Sequence, residues 1–445
     1  MFSSAGNLAA VCGNCRTVVR NVGADLTTHG KLSAVREDAT PFCVGTHGRY
    51  DGDDFTLVGR IQVRHLDGFW NEWFMAFDNG RTAWLGEAMG LLAVTARTDA
   101  RPPFPELTDY RPGTRTPVAG KAFVVREVAT AEVLGGEGTL PFPASDGWAL
   151  PFVDLASTEG GAATIDFSDG EPVVYIGRYV PFEQFAFKAL REALPPDHPA
   201  ARVGAAQVEA VRCPSCGGGL ERRTGAQSPV LFCSYCGAGI DLTVSPYQVF
   251  ATQDWTGSLG GVLKLGQEAS WEGVTYRVLA QLERWIPKWN VAWLETLLHS
   301  DTHGYRWFIE MNGHYTWSEL LPEVPEMMGE SARVRGLSLP EREKDDVVVR
   351  RVVGELYWRV RAGDRAKVTE YARAPWALSR EGVDSEETWS LGRYMEPDEV
   401  AKAFGLKDLP RRVGTMPHQP PPVQRTLLPV LKRAGVALAL FLVLA

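Results

Sequence analysis

At 445 residues, with 45% hydrophobic and 22% charged content, the chain has globular composition and is long enough for two or three cores, which excludes a disordered polymer. A formal charge of -8 and a pI near 5.6 exclude the basic stripe that sequence-independent nucleic-acid binding needs, so no nucleic-acid partner is expected. Glycine (45) and proline (29) are frequent, and the apolar runs are short, alternating and punctuated by turns, which predicts a mainly β fold with short helices.

In chain order, residues 1–40 hold a single Cys-x-x-Cys knuckle, Cys12-Gly-Asn-Cys15, and read as a degenerate zinc-ribbon-like segment. Cys43 and His47 could add two ligands to Cys12 and Cys15, but that spacing is unusual for a ribbon, and a buried free thiol is the expected state of Cys43. Residues 41–195 read as a first β-rich repeat, barrel- or sandwich-like, in which Asn79-Gly80 supplies a hairpin turn and Phe182 to Leu194 a helix. Pro195 to Ala210 reads as a linker. Residues 205–245 contain Cys213-Pro-Ser-Cys216 and Cys233-Ser-Tyr-Cys236, sixteen residues apart and each followed by a glycine. Four thiolates at that spacing predict a closed tetrahedral zinc ribbon, with Zn2+ as a structural cofactor. Two disulfides are the competing reading. Only seven cysteines and the lack of an N-terminal apolar signal favour a reducing compartment instead.

Residues 255–410 read as a second β-rich repeat that ends in a helix, Asp398 to Phe404. His299 and His303 flank its equivalent turn at metal-ligand spacing, but Gly304 argues for a turn, so solvated loop histidines are expected. Residues 411–426 form a Pro-rich linker, semi-rigid from Arg411 to Gln424. Residues 427–445 read as the start of a membrane segment: Lys432-Arg433 precede twelve uncharged, mostly apolar residues, Ala434 to Ala445. Twelve helical residues span about 18 Å against the ~30 Å of a hydrocarbon core, so the segment either continues or lies in the interface. The basic pair favours a cytoplasmic N-terminal side. A buried C-terminal helix is the alternative.

Self-comparison shows a duplication. Val44 to Gly52 matches Leu265 to Gly273 at an offset of 221, with Gly45, Gly52 and Tyr50 finding counterparts. Trp70-Asn71-Glu72-Trp73 is aligned with Trp289 to Trp293, Trp84-Leu85-Gly86-Glu87 with Trp307 to Glu310, and Tyr175 to Tyr179 with Ser390 to Tyr394. The cysteine pairs beginning at Cys12 and Cys213 precede the two units in the same order.

Gly59-Arg60, Trp70-x-Glu72-Trp73, Trp84-Leu85-x-Glu87 and Gly354-Glu355-Leu356-Tyr357-Trp358 together resemble the bacterial family called domain of unknown function 4178. The resemblance runs over most of the chain. It implies a β-rich module, often doubled, often preceded by zinc ribbons and followed by membrane helices, and an envelope-stress or polyamine-linked setting. The first repeat departs from the pattern: no aromatic of the Trp358 type is expected after Gly136-Glu137-Gly138, and its ribbon is half lost.

The functional expectation is a non-catalytic adaptor or scaffold at the cytoplasmic face of the bacterial inner membrane. It would be held there by its C-terminal segment and present two β-rich modules to protein partners. Phosphate loops, zinc-protease helices and nucleophile elbows are missing from the sequence, and no catalytic residue is assigned. The alternative is an enzyme or small-ligand binder that uses a Glu/Trp cluster. Glu72, Glu87, Glu295 and Glu310 recur near tryptophans, and Glu72, Trp73, Glu87, Trp293 and Glu310 are the candidate ligand or partner surface. The competing reading puts these glutamates on polar hairpin faces or pairs them with Arg178 and Arg393.

Overall fold

A computed structural model describes residues 9–421 apart from 23–24, 37, 39, 66–67, 101–102, 192–208, 223–227 and 245. The membrane-segment reading of 427–445 and nearly all of the 195–210 linker lie outside these residues. Among the described residues no helix is long and apolar enough to cross a membrane.

Eight antiparallel strands of the first half close into a barrel. They are β1 (Asp53–His65), β2 (Gly68–Phe77), β3 (Thr82–Ala88), β4 (Leu91–Arg97), β5 (Lys121–Leu140), β6 (Ala149–Ala156), β7 (Gly161–Asp166) and β8 (Val173–Tyr179). The order round the barrel is β1-β2-β3-β4-β8-β7-β6-β5, and β5 returns to pair with β1. The second half repeats this with β9 (Val274–Ile286), β10 (Val291–Ser300), β11 (Gly304–Met311), β12 (His314–Leu320), β13 (Leu337–Leu356), β14 (Arg365–Arg373), β15 (Trp376–Gly382) and β16 (Glu387–Met395). The fold is therefore mainly β, with two eight-stranded barrels in tandem.

Closure has a local cause that both halves share. The long strands β5 and β13 are twenty residues each and serve two neighbours: one end pairs with β6 or β14, the other with β1 or β9. The turn from one partner to the other needs extra twist, supplied by bulges at Leu57/Gly59 and Val278/Ala280 on the receiving strands. At the crossing, Gly138 (φ 73°) lies against Gly59, and Gly354 (φ 90°) against Ala280. A Cβ on Gly138 would sit 2.4 Å from the Val58 carbonyl oxygen, and one on Gly354 2.2 Å from that of Leu279. Only glycine fits there.

Outside the first barrel, Phe42, Phe182, Phe185 and Phe187 cover Trp73, Leu85 and Val94. The helix expected over Phe182 to Leu194 is not formed in its described part: Phe182–Phe185 make one 3-10 turn, then Ala186 and Ala189 adopt positive φ. The reason is local. Lys188 bridges to His47, and burying three phenylalanines on the barrel outweighs continuing a helix. On the second barrel the expected helix does form, α1 (Pro397–Phe404), with a Glu396/Glu399 capping box, Pro397 in its first turn and Gly405 ending it. Its Val400 and Phe404 pack on Phe308 and Trp317. The 411–421 part of the expected linker also packs on this barrel. His418 is buried, its Nε2 lies 2.7 Å from Thr316 Oγ1, and its ring meets Tyr394.

The register corrects three alignments made from sequence. Trp70 pairs opposite Val63 as Trp293 does opposite Arg284, so Trp293 is the counterpart of Trp70, and Trp289 lies in the turn before β10. The short strand Ala9–Val11 pairs with Gly138–Leu140 as Val230–Phe232 pairs with Gly354–Leu356, so Cys12 corresponds to Cys233, not Cys213. Phe142, stacked on Trp84, stands where Trp358 meets Trp307, so the first repeat does keep an aromatic there.

Gly138→Ala and Gly354→Ala should each cost on the order of 1–3 kcal/mol of backbone strain, plus the displacement of the neighbouring strand. Gly52→Ala, at φ 88° with open space around it, should pay the conformational part alone. Chemical denaturation of the three variants checks the ranking.

Candidate functional site

Strand alternation gives each barrel an inner and an outer wall, and the repeated glutamates divide between them. Glu72 is on the inner wall. Its neighbour Trp70 meets Phe152 of β6, three strands away, with ring centroids 6.0 Å apart, a contact possible only across the lumen. Trp70 Nε1 donates to Glu72 Oε1 at 2.8 Å. Facing it, Asp154 of β6 accepts from Thr164 Oγ1 of β7 at 2.6 Å, and Tyr175 and Tyr179 of β8 complete the ring. Burial raises Glu72 to about 7, with the Asp154 charge adding to it. Burial raises Asp154 to about 6 against the pull of Thr164 and Arg126, and Tyr179 to about 12.

The second lumen repeats the motif. Trp293 Nε1 donates to Glu295 Oε1 at 2.7 Å, and Glu370, hydrogen-bonded by Ser379, occupies the register position of Asp154. Burial raises Glu295, and it raises Glu370 to about 7. Here a cation is built in. Arg284 Nη1 and Nη2 bind Glu381 at 2.8 and 2.9 Å, and Nη1 lies 3.6 Å from Glu295. The fork engages both terminal nitrogens of the planar guanidinium, while the buried Arg284 Nε is left without a partner.

Glu87 and Glu310 are on the outer walls, each clamped by the segment that enters its barrel. Glu87 accepts from Thr40 Oγ1 (2.7 Å), Asn71 Nδ2 (3.0 Å) and Trp73 Nε1 (3.1 Å). Beneath the same segment Arg60 is buried between Asp38, Asn71 and the Trp73 ring, with Arg191 donating to the Asp38 carbonyl at 2.9 Å. Glu310 instead accepts from the Val262 amide at 3.0 and 3.2 Å. Burial, then the Asp38 charge, raises Glu87, and burial raises Glu310 to about 7. Glu310 borders a recess of about 290 Å³ with Gly261, Leu294 and Arg411.

The five candidate surface residues are thus not one surface. Trp73 is fully buried, while Glu72, Glu87, Trp293 and Glu310 are partly buried. The sheet separates Glu72 from Glu87, which rules out one pocket joining them with Arg178. The glutamates do not pair with the repeat arginines either. Arg178 pairs with Asp51 and lies over Tyr50, and Arg393 pairs with Glu399 and lies over Trp271, a repeated cation–π contact. His299 is not a solvated loop residue: it is buried at the end of β10 against Tyr305, and burial lowers it to about 4. His303 instead meets Glu183 at 3.2 Å.

Four cysteines converge on one point. The sulfurs of Cys213, Cys216, Cys233 and Cys236 lie within 4.8 Å of one another and could hold a metal ion. Cys213 Sγ is 3.7 Å from Cys236 Sγ, and Cys216 Sγ is 3.8 Å from Cys233 Sγ, with no disulfide formed. Each knuckle turns on a glycine at positive φ, Gly217 (74°) and Gly237 (73°), whose amide donates to the first cysteine's carbonyl. Burial pushes the Cys233 thiol up to about 12, while against burial the Ala238 amide and the neighbouring sulfurs hold Cys236 at about 7. The Cys12-Cys15 knuckle has the same hydrogen bonds, with Arg16 (φ 60°) in the glycine position. Among the described residues no third ligand joins it. Cys43 is buried 3.6 Å from the Ala189 carbonyl and His47 turns to its own loop, so neither adds to that knuckle.

Asp154, Thr164, Arg284, Glu370 and Glu381 were missed from sequence. Their one visible signal is polar residues at inward positions of otherwise apolar strands, and it becomes readable only with the register. Residues 43–182, which span the first barrel, match the family model described as "Domain of unknown function (DUF4178)". No curated protein and no solved structure matches the chain.

A carboxyl raised from 4.5 to about 7 stabilises the fold fully below 4.5, and that contribution is lost as pH rises through about 7. Glu72→Gln keeps the acceptor for Trp70 and removes the titration. The wild type should therefore lose stability relative to this variant between pH 4.5 and 7, read from urea midpoints across that range.

Proposed function

We propose that the protein is a non-catalytic scaffold: two β-barrels and a structural zinc ribbon, held at the cytoplasmic membrane face by residues 427–445 and offering surfaces to protein partners. The four-sulfur cluster carries this reading. A tetrahedron with Zn–S bonds of about 2.3 Å has edges near 3.8 Å, which the 3.7 and 3.8 Å sulfur separations fit. Four thiolates leave no position for a water or substrate, so the ion would supply folding energy, not chemistry.

The location of the cluster says what it would hold. Cys233 follows the strand Val230–Phe232, which extends the sheet of the second barrel through Gly354–Leu356, and Cys213 and Cys216 lie in the turn of a separate hairpin, Glu209–Arg212 with Gly219–Arg222. An ion would join that hairpin to the barrel at the crossing glycine. Arg359, paired with Asp241, ties the same region from the other side. The recurrent glutamates support the scaffold reading too, because each is held by internal donors and no two of them share an open cleft. Among the described residues, Tyr235, on the second knuckle, and Trp289, in the turn before β10, are the large exposed aromatics a partner would meet.

Metal analysis of the purified protein should give one zinc per chain, none for Cys213→Ser and one for Cys12→Ser, and chelation should lower the melting temperature of the wild type and of Cys12→Ser but not of Cys213→Ser. A metal-free wild type with unchanged stability would sink the reading. Membrane flotation supplies a separate check: deleting 427–445 should move the protein from the membrane to the soluble fraction, and unchanged flotation would contradict the anchoring.

A further inference from the structure

Cys12 and Cys15 sit on a knuckle that repeats the one at Cys233 and Cys236. The Cys12 amide donates to the Thr17 carbonyl at 3.0 Å and the Arg16 amide to the Cys12 carbonyl at 2.9 Å, as the Cys233 amide does to Ala238 and the Gly237 amide to Cys233. In the second half the sulfurs of Cys213 and Cys216 complete the cluster. Among the described residues no third histidine, cysteine or carboxylate comes close enough to share an ion with Cys12 and Cys15, and both thiols are free. The turn reverses the chain within four residues, so its first and last Cα lie within about 7 Å, the reach of a disulfide.

The two thiols differ in access and in acidity. Cys15 is exposed, whereas Cys12 is half-buried at the end of the strand Ala9–Val11, which the Gly138–Leu140 pairing fixes to the barrel. Gly13 and Asn14 between them are exposed, and nothing lies within 4 Å of the place a Cβ on Gly13 would take, so a reactant meets an open turn. Cys15 Sγ lies 3.2 Å from Thr17 Oγ1. The Thr17 hydroxyl and amide, then the Cys12 thiol, hold Cys15 down at about 7 from the ordinary 9.0, and the Lys31 charge adds to this. An exposed thiol that ionises near neutral pH beside a second thiol is equipped to attack disulfides. The other cysteines are not: Cys43 is buried, and the sulfurs of the other four face one another.

We propose that Cys12 and Cys15 form a thiol–disulfide exchange site, with Cys15 attacking and Cys12 resolving, whose reactant is a small anionic disulfide such as oxidised glutathione. The Cys15 thiolate attacks one sulfur of the reactant, forming a mixed disulfide and releasing one thiolate. Cys12 then gives up its proton and attacks Cys15 Sγ, which closes the Cys12–Cys15 bond and releases the second thiolate. The protein loses two electrons and two protons, and the reactant takes up both as two thiols. Lys31, an exposed cation acting on Cys15, suits the negative charge of that reactant. The inference goes beyond the scaffold reading and does not draw on the zinc site.

The test incubates the full-length, zinc-loaded protein with oxidised glutathione, quenches with acid and maps the peptides by mass spectrometry. In the wild type the peptide holding Cys12 and Cys15 should lose two hydrogens. Cys12→Ser, which lacks the resolving thiol, should accumulate one glutathione on Cys15, and Cys15→Ser should take up glutathione on Cys12 at least about tenfold more slowly. Alkylation of Cys15 followed against pH should show a midpoint near 7. A wild type that resists oxidation, a Cys12→Ser variant with no adduct on Cys15, or a second zinc ion in the wild type that Cys12→Ser loses would each overturn the proposal.

Discussion

Closing eight antiparallel strands into a barrel forces every second side chain inward, and the rest of this molecule follows from how those inward positions are filled. A carboxyl placed there loses its water and must be protonated, hydrogen-bonded or paired with a cation. Both barrels solve this with the same first step, a tryptophan two residues earlier on the strand donating its indole N–H to the glutamate. They then diverge. The second lumen adds an arginine held by Glu381, while the first leaves Glu72 and Asp154 facing one another with raised affinities for protons.

The outer walls follow a different rule. There the chain entering each barrel folds over the sheet and offers hydrogen bonds to an outward glutamate, through the Thr40 hydroxyl in one half and the Val262 amide in the other. The same segment seals a buried Arg60–Asp38 pair in the first half, whereas Gln281 of the second half occupies that register position and donates to the Leu263 carbonyl. The duplication has thus kept backbone and acids while exchanging their partners, which is how tandem units with one topology can come to do different work.

Much of the architecture was legible in the sequence because backbone constraints leave fixed marks. Gly45 and Gly52 return as Gly266 and Gly273, all at positive φ, and the glycines after each cysteine pair mark real knuckles. The recurring Trp-x-Glu motif was also visible, but not its meaning. Which face a residue occupies depends on register, and a four-residue slip aligned Trp289 with Trp70 when Trp293 holds that place. Asp154 and Glu370 were invisible for the same reason, since the acids whose charge they meet, Glu72 and Glu295, lie far along the chain. The helix read over Phe182 to Leu194 was lost to aromatic burial, which sequence periodicity does not weigh.

The account rests on carboxyls enclosed within a closed barrel, and the proton affinity of Glu72 reports that enclosure directly. A carbon-13 NMR titration of its side-chain carboxyl in the intact protein should give a midpoint near 7. A midpoint at the ordinary value of 4.5 would mean that Glu72 faces water and that the lumen described here does not exist.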